Sequence, residues 1–290
     1  MMKLSIIGSG LVGKATGLGF HNHGNHVIFY DIEKEKLLML KKQGYDVATN
    51  PLDAVLKSSI SFICVQTPTC NGKMDFSYVR RAILEIAEAL QKKRKYHLIV
   101  VRSTILPSTT RTEIVPLLRK HSQLVPGKEF GICMNPEFMR KESSLNDFLN
   151  PWRILIGEFD KRSGDILEEL YTPFEAPIIR TDLNTAEMIK YVANTFLATK
   201  ISFFNEIFMI CQNFGIDPNK VVKVAALDPR IGKYGTHGGQ PFGGRCLPKD
   251  LEAFTNFVEN LQINPKLLHA VSHINKEILE YHQKSTHETI

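Results

Sequence analysis

The chain has 290 residues, enough for about two domains, and its 43% hydrophobic and 23% charged residues are typical of a soluble globular protein. The net charge of +6 suits an anionic ligand. The densest basic run, residues 92–95, stands where a predicted helix ends, so we expect a solvated helix terminus and not a nucleic-acid surface. No apolar run reaches membrane-spanning length, which leads us to expect a cytoplasmic protein.

A glycine-rich motif follows the first predicted strand, residues 3–7. It reads Gly8-Ser9-Gly10-Leu11-Val12-Gly13 and opens a helical pattern that continues to about residue 23. In this setting the first glycine permits a tight turn, the second lets the backbone approach a pyrophosphate, and the third allows close helix packing. The phosphates then lie at the helix N-terminus. We therefore predict that Gly8, Gly10, Leu11, Val12 and Gly13 bind a dinucleotide.

An acidic residue ends the second predicted strand, residues 27–30. At this place Asp31 can accept hydrogen bonds from both hydroxyls of the adenosine ribose. Its charge would repel a 2′-phosphate, so the sequence favours NAD over NADP.

Strands and helices continue to alternate as far as residue 181, which predicts an α/β domain with a Rossmann-type doubly wound parallel sheet. Further strands are predicted near residues 59–65, 97–102, 130–134, 153–157 and 177–180, and helices near 33–43 and 76–92. Polar motifs follow three of these strands, at residues 66–68, 103–104 and 135–137. Any one of them could be turn chemistry. Three at the carboxyl edge of one sheet favour a ligand site.

Residues 182–290 have a helical character and predict an all-helical second domain. A long helix runs to Asn213, with Asp182 or Asn184 as its cap and Gly215 after its end, and shorter helices follow near 219–226, 249–260 and 265–281. Within the long helix Glu187, Lys190 and Asn194 share one face. They form either a salt-bridged solvated face or a lysine and an amide presented to a reacting oxygen.

One of the five cysteines stands in a distinctive loop, Phe242 to Asp250. The cysteines are odd in number and include no Cys-x-x-Cys pair, which argues against a disulfide framework and a zinc site. Gly243 and Gly244 let the backbone before Cys246 approach a ligand, and Lys249 is close enough to favour its thiolate. The alternative is a small buried hydrophobe. Simple alcohol oxidation needs no thiol, whereas a thiol can attack an aldehyde and lead through a thiohemiacetal to a thioester.

The chain resembles the UDP-glucose/GDP-mannose dehydrogenase family in motifs that follow the family's order along nearly its whole length. They lie at residues 8–13, 66–68 with Gly72 and Asp75, 102–104, 135–140, 190–194 with 204–206, 228–232 and 242–250. The resemblance implies a two-step, four-electron oxidation of a nucleotide-sugar C6 alcohol to a uronic acid, with two NAD reduced. UDP-glucose is the preferred substrate because residues 228–232 resemble that branch more than the GDP-mannose branch.

The resemblance also implies roles for single residues. Cys246 would be the thioester nucleophile, Lys190 and Asn194 the oxyanion-stabilising pair, and Asp250 the acid beside the thiol. Glu137 would serve thioester hydrolysis, and Thr104 would position water near the nicotinamide. Asp31, Thr67, Thr104 and Lys249 would bind NAD, and Glu137, Phe138, Lys190, Asn194, Arg230 and Gly243 would bind substrate. Arg230 would reach the sugar nucleotide of a neighbouring subunit, and the long helix would be the core of a homodimer.

Two features depart from the family pattern. Lys141 stands where members commonly have a second glutamate, with Glu142 one place later. The family normally carries a third, C-terminal nucleotide-binding domain that these 290 residues do not include, so they are a fragment, need a partner chain, or bind the nucleotide in another way. Two alternatives stay open, a two-domain 3-hydroxyacid dehydrogenase, which needs no thiol, and a non-catalytic NAD-binding remnant.

Overall fold

The computed structural model describes residues 1–93 and 95–287, with backbone alone from residue 282. Its residues group into two compact units. The first comprises residues 1–67 and 75–190, and the second comprises residues 68–74 together with the chain from Tyr191 onward. The division at residues 181 and 182 that we expect from the sequence stays a prediction. In the described part of the chain, no helix is both long and apolar enough to span a membrane.

Ten strands are described, and eight of them form one sheet. In chain order they are β1 (Lys3–Ile7), β2 (His26–Tyr30), β3 (Asp46–Val47), β4 (Ile60–Ile63), β5 (Thr69–Cys70), β6 (Lys73–Met74), β7 (His97–Val101), β8 (Phe130–Met134), β9 (Ile154–Glu158) and β10 (Ile178–Asp182). The sheet has the order β10-β9-β8-β7-β4-β1-β2-β3, and β5 and β6 form a separate hairpin. The predicted α/β class with a doubly wound sheet is confirmed.

The direction of the last two strands differs from the expected all-parallel sheet. Six strands from β3 to β8 in the sheet run parallel, but β9 pairs antiparallel with β8, and β10 is parallel to β9. The helix between β8 and β9 spans Ser144–Leu149 and is about 9 Å long, whereas a five-residue strand is about 17 Å long. The chain does not cross back to the opposite edge of the sheet before β9, which starts near the end of β8 and runs antiparallel to it.

Eleven helices are described. They are α1 (Leu11–Asn22), α2 (Lys34–Lys42), α3 (Pro51–Lys57), α4 (Ser77–Lys92), α5 (Val115–Ser122), α6 (Ser144–Leu149), α7 (Lys161–Tyr171), α8 (Leu183–Asn213), α9 (Pro218–Ala225), α10 (Leu247–Asn260) and α11 (Lys266–His287). Four of them, α3, α5, α6 and α7, are not anticipated by the sequence pattern. Helix α4 ends inside the basic run as predicted, and Arg94 of that run lies outside the described residues.

The core of the first unit fixes α1 on the sheet. Phe20 of α1 is fully buried, and its ring lies 5.1–5.8 Å from four other aromatic rings. These rings belong to Phe62, Phe148, Tyr171 and Phe174. Large rings supply much of the apolar area that a core buries. This packing holds the N-terminus of α1, and with it the glycine motif, at the carboxyl end of β1.

Helix α8 begins and ends where the sequence predicts. The Asp182 carboxylate accepts hydrogen bonds from the backbone N–H of Thr185 at 3.1 Å and from its hydroxyl at 2.5 Å, which caps the first turn. Gly215 after its end has a φ of 63°, a conformation that favours glycine. In the second unit α8 packs with α10 and α11 around a small core formed by Ala198, Phe242, Leu251 and Val271.

Candidate active site

The glycine motif has the geometry of a dinucleotide cradle. Gly8 adopts a φ of 96°, which few other residues tolerate. A Cβ on Gly13 would lie 1.8 Å from the Gly8 carbonyl oxygen, so only glycine lets α1 pack this closely. A Cβ on Gly10 would project into open space beside the start of α1. The residues therefore fit a pyrophosphate held at the helix N-terminus.

Asp31 lies beside this motif at the end of β2. Its buried carboxylate accepts hydrogen bonds from the N–H groups of Ser9 at 2.7 Å and Glu33 at 2.9 Å, and the Lys36 Nζ lies 3.7 Å away. These bonds fix the orientation of the carboxylate. Because an ionised carboxylate offers about four lone pairs, acceptor positions remain for two ribose hydroxyls.

Thr67 and Thr104 come together at the ends of β4 and β7. The Thr67 hydroxyl donates to the Thr104 carbonyl oxygen at 2.8 Å, and the Ser103 hydroxyl donates to the Val65 carbonyl oxygen at 2.6 Å. The two polar motifs therefore hold one another, as their shared position at the carboxyl edge of the sheet predicts.

Glu137 and Lys190 form a buried ion pair in the first unit. The Lys190 Nζ lies 3.0 Å from the Glu137 Oε1 and donates to the Glu137 carbonyl oxygen at 2.6 Å. Burial alone would raise the pKa of Glu137, but the Lys190 ammonium and the Met139 N–H together hold it below its ordinary value. Glu137 is thus a carboxylate at neutral pH. Among the described residues two of the three Lys190 donors bind Glu137, which leaves one for a substrate oxygen.

A buried polar network supports the loop that carries Glu137. The Arg102 guanidinium donates to the Asn135 Oδ1 at 2.5 Å, and the Tyr171 hydroxyl donates to the same oxygen at 2.7 Å. The Asn135 Nδ2 in turn donates to the Leu155 carbonyl oxygen at 2.8 Å. These bonds fix the segment immediately before Pro136 and Glu137.

Glu187 is fully buried, which excludes the solvated-face interpretation of the α8 pattern. Its carboxylate accepts hydrogen bonds from the N–H groups of Ser108 at 2.6 Å and Thr110 at 2.8 Å. Burial raises the pKa of the Glu187 carboxyl, although the bonds from Thr110 and Ser108 oppose that shift. The carboxylate joins the segment that follows Thr104 to the helix that carries Lys190.

In the second unit Cys246 stands immediately before α10 and is exposed, so it is not the buried hydrophobe of the alternative interpretation. The loop before it is held at Phe242, whose N–H donates to the Asn275 Oδ1 at 2.8 Å and whose carbonyl accepts from the Asn275 Nδ2 at 3.1 Å. Gly243 is exposed, with no atom within 4 Å of an added Cβ. The thiol therefore follows an anchored loop with open space beside its backbone.

Asp250 and Asn194 are paired in the same unit. The Asn194 Nδ2 donates to the Asp250 Oδ2 at 2.6 Å, and both side chains are buried. The Lys249 Nζ lies 2.5 Å from the other oxygen of Asp250. Asp250 is thus held by an amide and an ammonium one turn after Cys246.

The other predicted site residues lie at the surface or at its edge. Arg230 is exposed, and its guanidinium pairs with Asp228 at 2.7 Å. The ring of Phe138 lies 4.0 Å from the Arg153 guanidinium and 5.4 Å from the Lys190 Nζ. Leu11 is exposed and Val12 is half-buried in the first turn of α1, and Lys141 and Glu142 are both exposed in a short 3-10 turn.

Two domains of one known protein family match this chain. The NAD binding domain of the UDP-glucose/GDP-mannose dehydrogenase family matches residues 2–60 and 39–175, and the central domain of the same family matches residues 184–277. The chain belongs to the UDP-glucose/GDP-mannose dehydrogenase family. The resemblance drawn from the motifs is confirmed, and so is NAD as the cofactor.

Relatives in this family carry the names of two substrates. The GDP-mannose 6-dehydrogenase of Pseudomonas aeruginosa is 35% identical over 94% of this chain and 68% of its own length. The UDP-glucose 6-dehydrogenase TuaD of Bacillus subtilis is 38% identical over 96% of this chain and 63% of its own length. A solved UDP-glucose dehydrogenase from the archaeon Pyrobaculum islandicum superposes with a TM-score of 0.89 at 33% identity, covering 96% of this chain and 68% of that one.

Three features of this member of the UDP-glucose/GDP-mannose dehydrogenase family escape the sequence reasoning. The helical spacing predicts the face on which Glu187 lies, but not that its carboxylate accepts from the N–H groups of Ser108 and Thr110. Tyr171 carries no motif that marks it as a partner of Asn135. The hairpin formed by β5 and β6 does have a signal, since Asn71-Gly72 is a strong mark of a tight turn between two strands.

Proposed function

We propose that this chain performs the NAD-dependent oxidation of a nucleotide-sugar C6 alcohol to a uronic acid, with UDP-glucose as substrate. The observation that carries the proposal is the exposed Cys246 at the start of α10, one turn before a buried Asp250 held by Asn194. A dehydrogenase that stopped at the aldehyde would need no thiol at this position.

The first oxidation removes a hydride and a proton from the C6 alcohol. The residues at the α1 N-terminus would hold the phosphates of NAD and Asp31 would hold its ribose, so that NAD would supply the hydride acceptor, while the proton would leave to water beside the Glu137 carboxylate. Lys190 has a donor available for the C6 oxygen, and Asn194 has a second amide N–H beyond the one that binds Asp250. These donors stabilise negative charge that develops on that oxygen.

The second oxidation proceeds through the thiol. The Cys246 thiolate adds to the aldehyde carbon, and the resulting thiohemiacetal oxyanion becomes a thioester by losing a hydride, for which a second NAD would be the acceptor. A helix N-terminus stabilises anions, so the position of Cys246 before α10 favours the thiolate. Water, positioned by Thr104 and hydrogen-bonded to the Glu137 carboxylate, then attacks the thioester carbonyl and releases the acid and the thiol. The lowered pKa of Glu137 keeps it ionised for this role.

The preference for UDP-glucose rests on residues 228–232, which resemble the UDP-glucose branch. A direct test is competition between UDP-glucose and GDP-mannose at equal concentration, with NADH formation as the readout. A larger kcat/KM for GDP-mannose would contradict this part of the proposal.

We also propose a homodimer through α8. Apolar side chains recur along one face of this helix at helical spacing, and each of them is substantially exposed. They are Met188, Val192, Phe196, Phe203, Ile210 and Phe214. Phe196→Glu places a charge in the middle of this stripe and is expected to give a monomer in light scattering, while the exposed control Lys120→Glu leaves the mass unchanged. A parent protein that is monomeric at assay concentration would refute the dimer.

The main experiment follows NADH and uronic acid together in the same reaction. We expect two NADH for each sugar, and Cys246→Ser is expected to block acid formation while NAD binding stays unchanged. Acid formation by Cys246→Ser at the parent rate would contradict the thioester mechanism.

Two outcomes would favour the alternatives. Reduction of NAD with a small 3-hydroxyacid and not with a nucleotide sugar would favour a 3-hydroxyacid dehydrogenase, against the family membership. NAD binding without reduction by any nucleotide sugar would favour a non-catalytic remnant.

We also propose that the protein is located in the cytoplasm. All five cysteines are free thiols, which fits a reducing compartment.

A further inference from the structure

A short hairpin interrupts the first unit. Residues 68–74 follow Thr67 in the chain but belong to the second compact unit. Strands β5 and β6 pair antiparallel with Cys70 opposite Lys73, and the two turn residues between them, Asn71 and Gly72, have φ values of 51° and 75°. Two left-handed residues define the tight type I′ turn. A two-stranded hairpin is only marginally stable by itself, so it needs a surface to pack on.

Helix α10 supplies that surface. The Thr69 hydroxyl donates to the Lys249 carbonyl oxygen at 3.1 Å, and the Gly72 N–H donates to the Glu252 Oε1 at 2.7 Å. A Cβ on Gly72 would lie 3.0 Å from the Asn256 Nδ2, so the turn and the helix are already in close contact. Lys249, Glu252 and Asn256 are spaced i, i+3 and i+7, which puts them on one stripe of the helix.

The contacts begin in the first turn of α10, the turn that holds the candidate nucleophile in place. Cys246 immediately precedes this turn and Asp250 lies in it. Asn194 also holds this turn at Asp250, and Asn275 holds the preceding loop at Phe242. A displacement of about 1 Å at a reacting group can lower the rate about a hundredfold. Contacts that restrain this turn are therefore expected to affect the rate of the reaction at Cys246.

We propose that residues 68–74 form a strap that positions Cys246 by holding the first two turns of α10. The inference rests on the proposed function, because the position of Cys246 matters for the reaction only if its thiol is the nucleophile. Thr69, Gly72 and Glu252 are positioning residues, since they act through the helix. Because Cys246 is already exposed, loosening the turn changes its reactivity mainly by weakening the stabilisation of its thiolate at the helix N-terminus.

The test measures the reactivity of the Cys246 thiol directly and does not require the enzyme to turn over a substrate. The background is Cys70→Ser, because Cys70 is the other exposed cysteine. Cys64, Cys133 and Cys211 are buried and lie in other peptides, and burial raises the pKa of Cys64 to about 12 and also raises the pKa of Cys133. The rate of Cys246 alkylation by iodoacetamide is followed by peptide mass spectrometry, and hydrogen exchange is followed over residues 247–256.

Two variants release the strap, and each has a matched control. Gly72→Ala adds strain at a positive φ and a contact with Asn256, whereas Gly24→Ala adds the same strain at a φ of 77° with no atom within 4 Å. Glu252→Ala removes the acceptor for the Gly72 N–H, whereas Glu252→Gln keeps an oxygen that can accept it.

Gly72→Ala and Glu252→Ala are expected to slow alkylation about fivefold and to speed exchange over residues 247–256 about tenfold. Gly24→Ala and Glu252→Gln are expected to match the parent in both measurements. Unchanged or faster alkylation in the first two variants would overturn the proposal, since faster reaction would mean that the strap shields the thiol instead of positioning it. Failure of the parent to oxidise any nucleotide sugar would count against the proposed function alone, because neither measurement depends on catalysis.

Discussion

The substitution Lys190→Met probes the buried ion pair between Lys190 and Glu137 in the first unit. Methionine has a similar volume but neither charge nor donors, so it removes both bonds to Glu137, at 3.0 Å and 2.6 Å. Breaking a buried pair from one side costs about 3–5 kcal/mol because it leaves an uncompensated charge. The Met139 N–H still donates to Glu137 at 2.7 Å, which places the expected loss near the lower end, about 3 kcal/mol.

Tryptophan fluorescence in urea measures this loss in the correct part of the molecule. Trp152 is the only tryptophan of the chain and belongs to the first unit, as Glu137 and Lys190 do. The double variant Glu137→Gln with Lys190→Met also removes the negative charge of Glu137, which Lys190→Met alone leaves buried without its ammonium partner. We expect it to regain part of the lost stability, with a coupling free energy of about 2 kcal/mol in a double-mutant cycle.

The dependence on pH has a definite sign. In the parent the folded pKa of Glu137 is lowered, so the ionised carboxylate contributes stability above the ordinary carboxyl range, and this contribution is lost as the pH falls through the lowered pKa. In Lys190→Met burial dominates and raises that pKa. The deficit of the variant is therefore full at neutral pH and shrinks in mild acid. A deficit below about 1 kcal/mol at neutral pH, or strictly additive single variants, would refute the ion-pair reasoning.

Other substitutions test the glycine motif, the buried carboxylate of Glu187 and the cap of α8. Gly13→Ala is expected to destabilise the first unit by about 1–3 kcal/mol through overpacking, whereas Gly10→Ala should leave its stability within about 0.5 kcal/mol yet weaken NAD binding in calorimetry. Glu187→Gln keeps one oxygen acceptor for the N–H groups of Ser108 and Thr110 and should cost about 1–3 kcal/mol in urea unfolding; no measurable cost would contradict a stabilising role for these two bonds. Asp182→Ala should cost about 1 kcal/mol, and because hydrogen bonds from Thr185 lower the pKa of Asp182, this difference should vanish as the pH falls through that lowered value.

The parts of the fold that could be predicted are those with a strong local signal. Apolar runs mark the buried strands, the glycine motif marks the start of α1, and Asp182 and Gly215 mark the ends of α8. The short helices gave weaker signals. Helix α5, for example, follows a π-helical turn at residues 110–114 and has Pro116 in its first turn, so its pattern does not read as one regular helix. Strand direction has no local signal at all, since an apolar run reads the same when β9 is reversed.

For the candidate site, too, some features could be predicted from the sequence and others could not. Residue types could be placed at the sheet edge or on a helix face from spacing alone. Their partners could not, because the pairs Lys190 with Glu137 and Asn194 with Asp250 join residues 53 and 56 positions apart. Lys249 illustrates the gap. Its distance in sequence predicts that it favours the thiolate of Cys246, but gives no sign that its ammonium also binds the carboxylate of Asp250.

The assignment of residues 68–74 to the second unit makes that unit discontinuous in the gene. A chimera that joins the first 181 residues of one family member to the helical region of another would combine the hairpin of one parent with α10 of the other. The mismatch would fall on Gly72, Glu252 and Asn256. Exchange of the thiol-bearing region between relatives therefore requires two crossovers in addition to the junction, so that the codons for the hairpin are inherited together with those for the helix it touches.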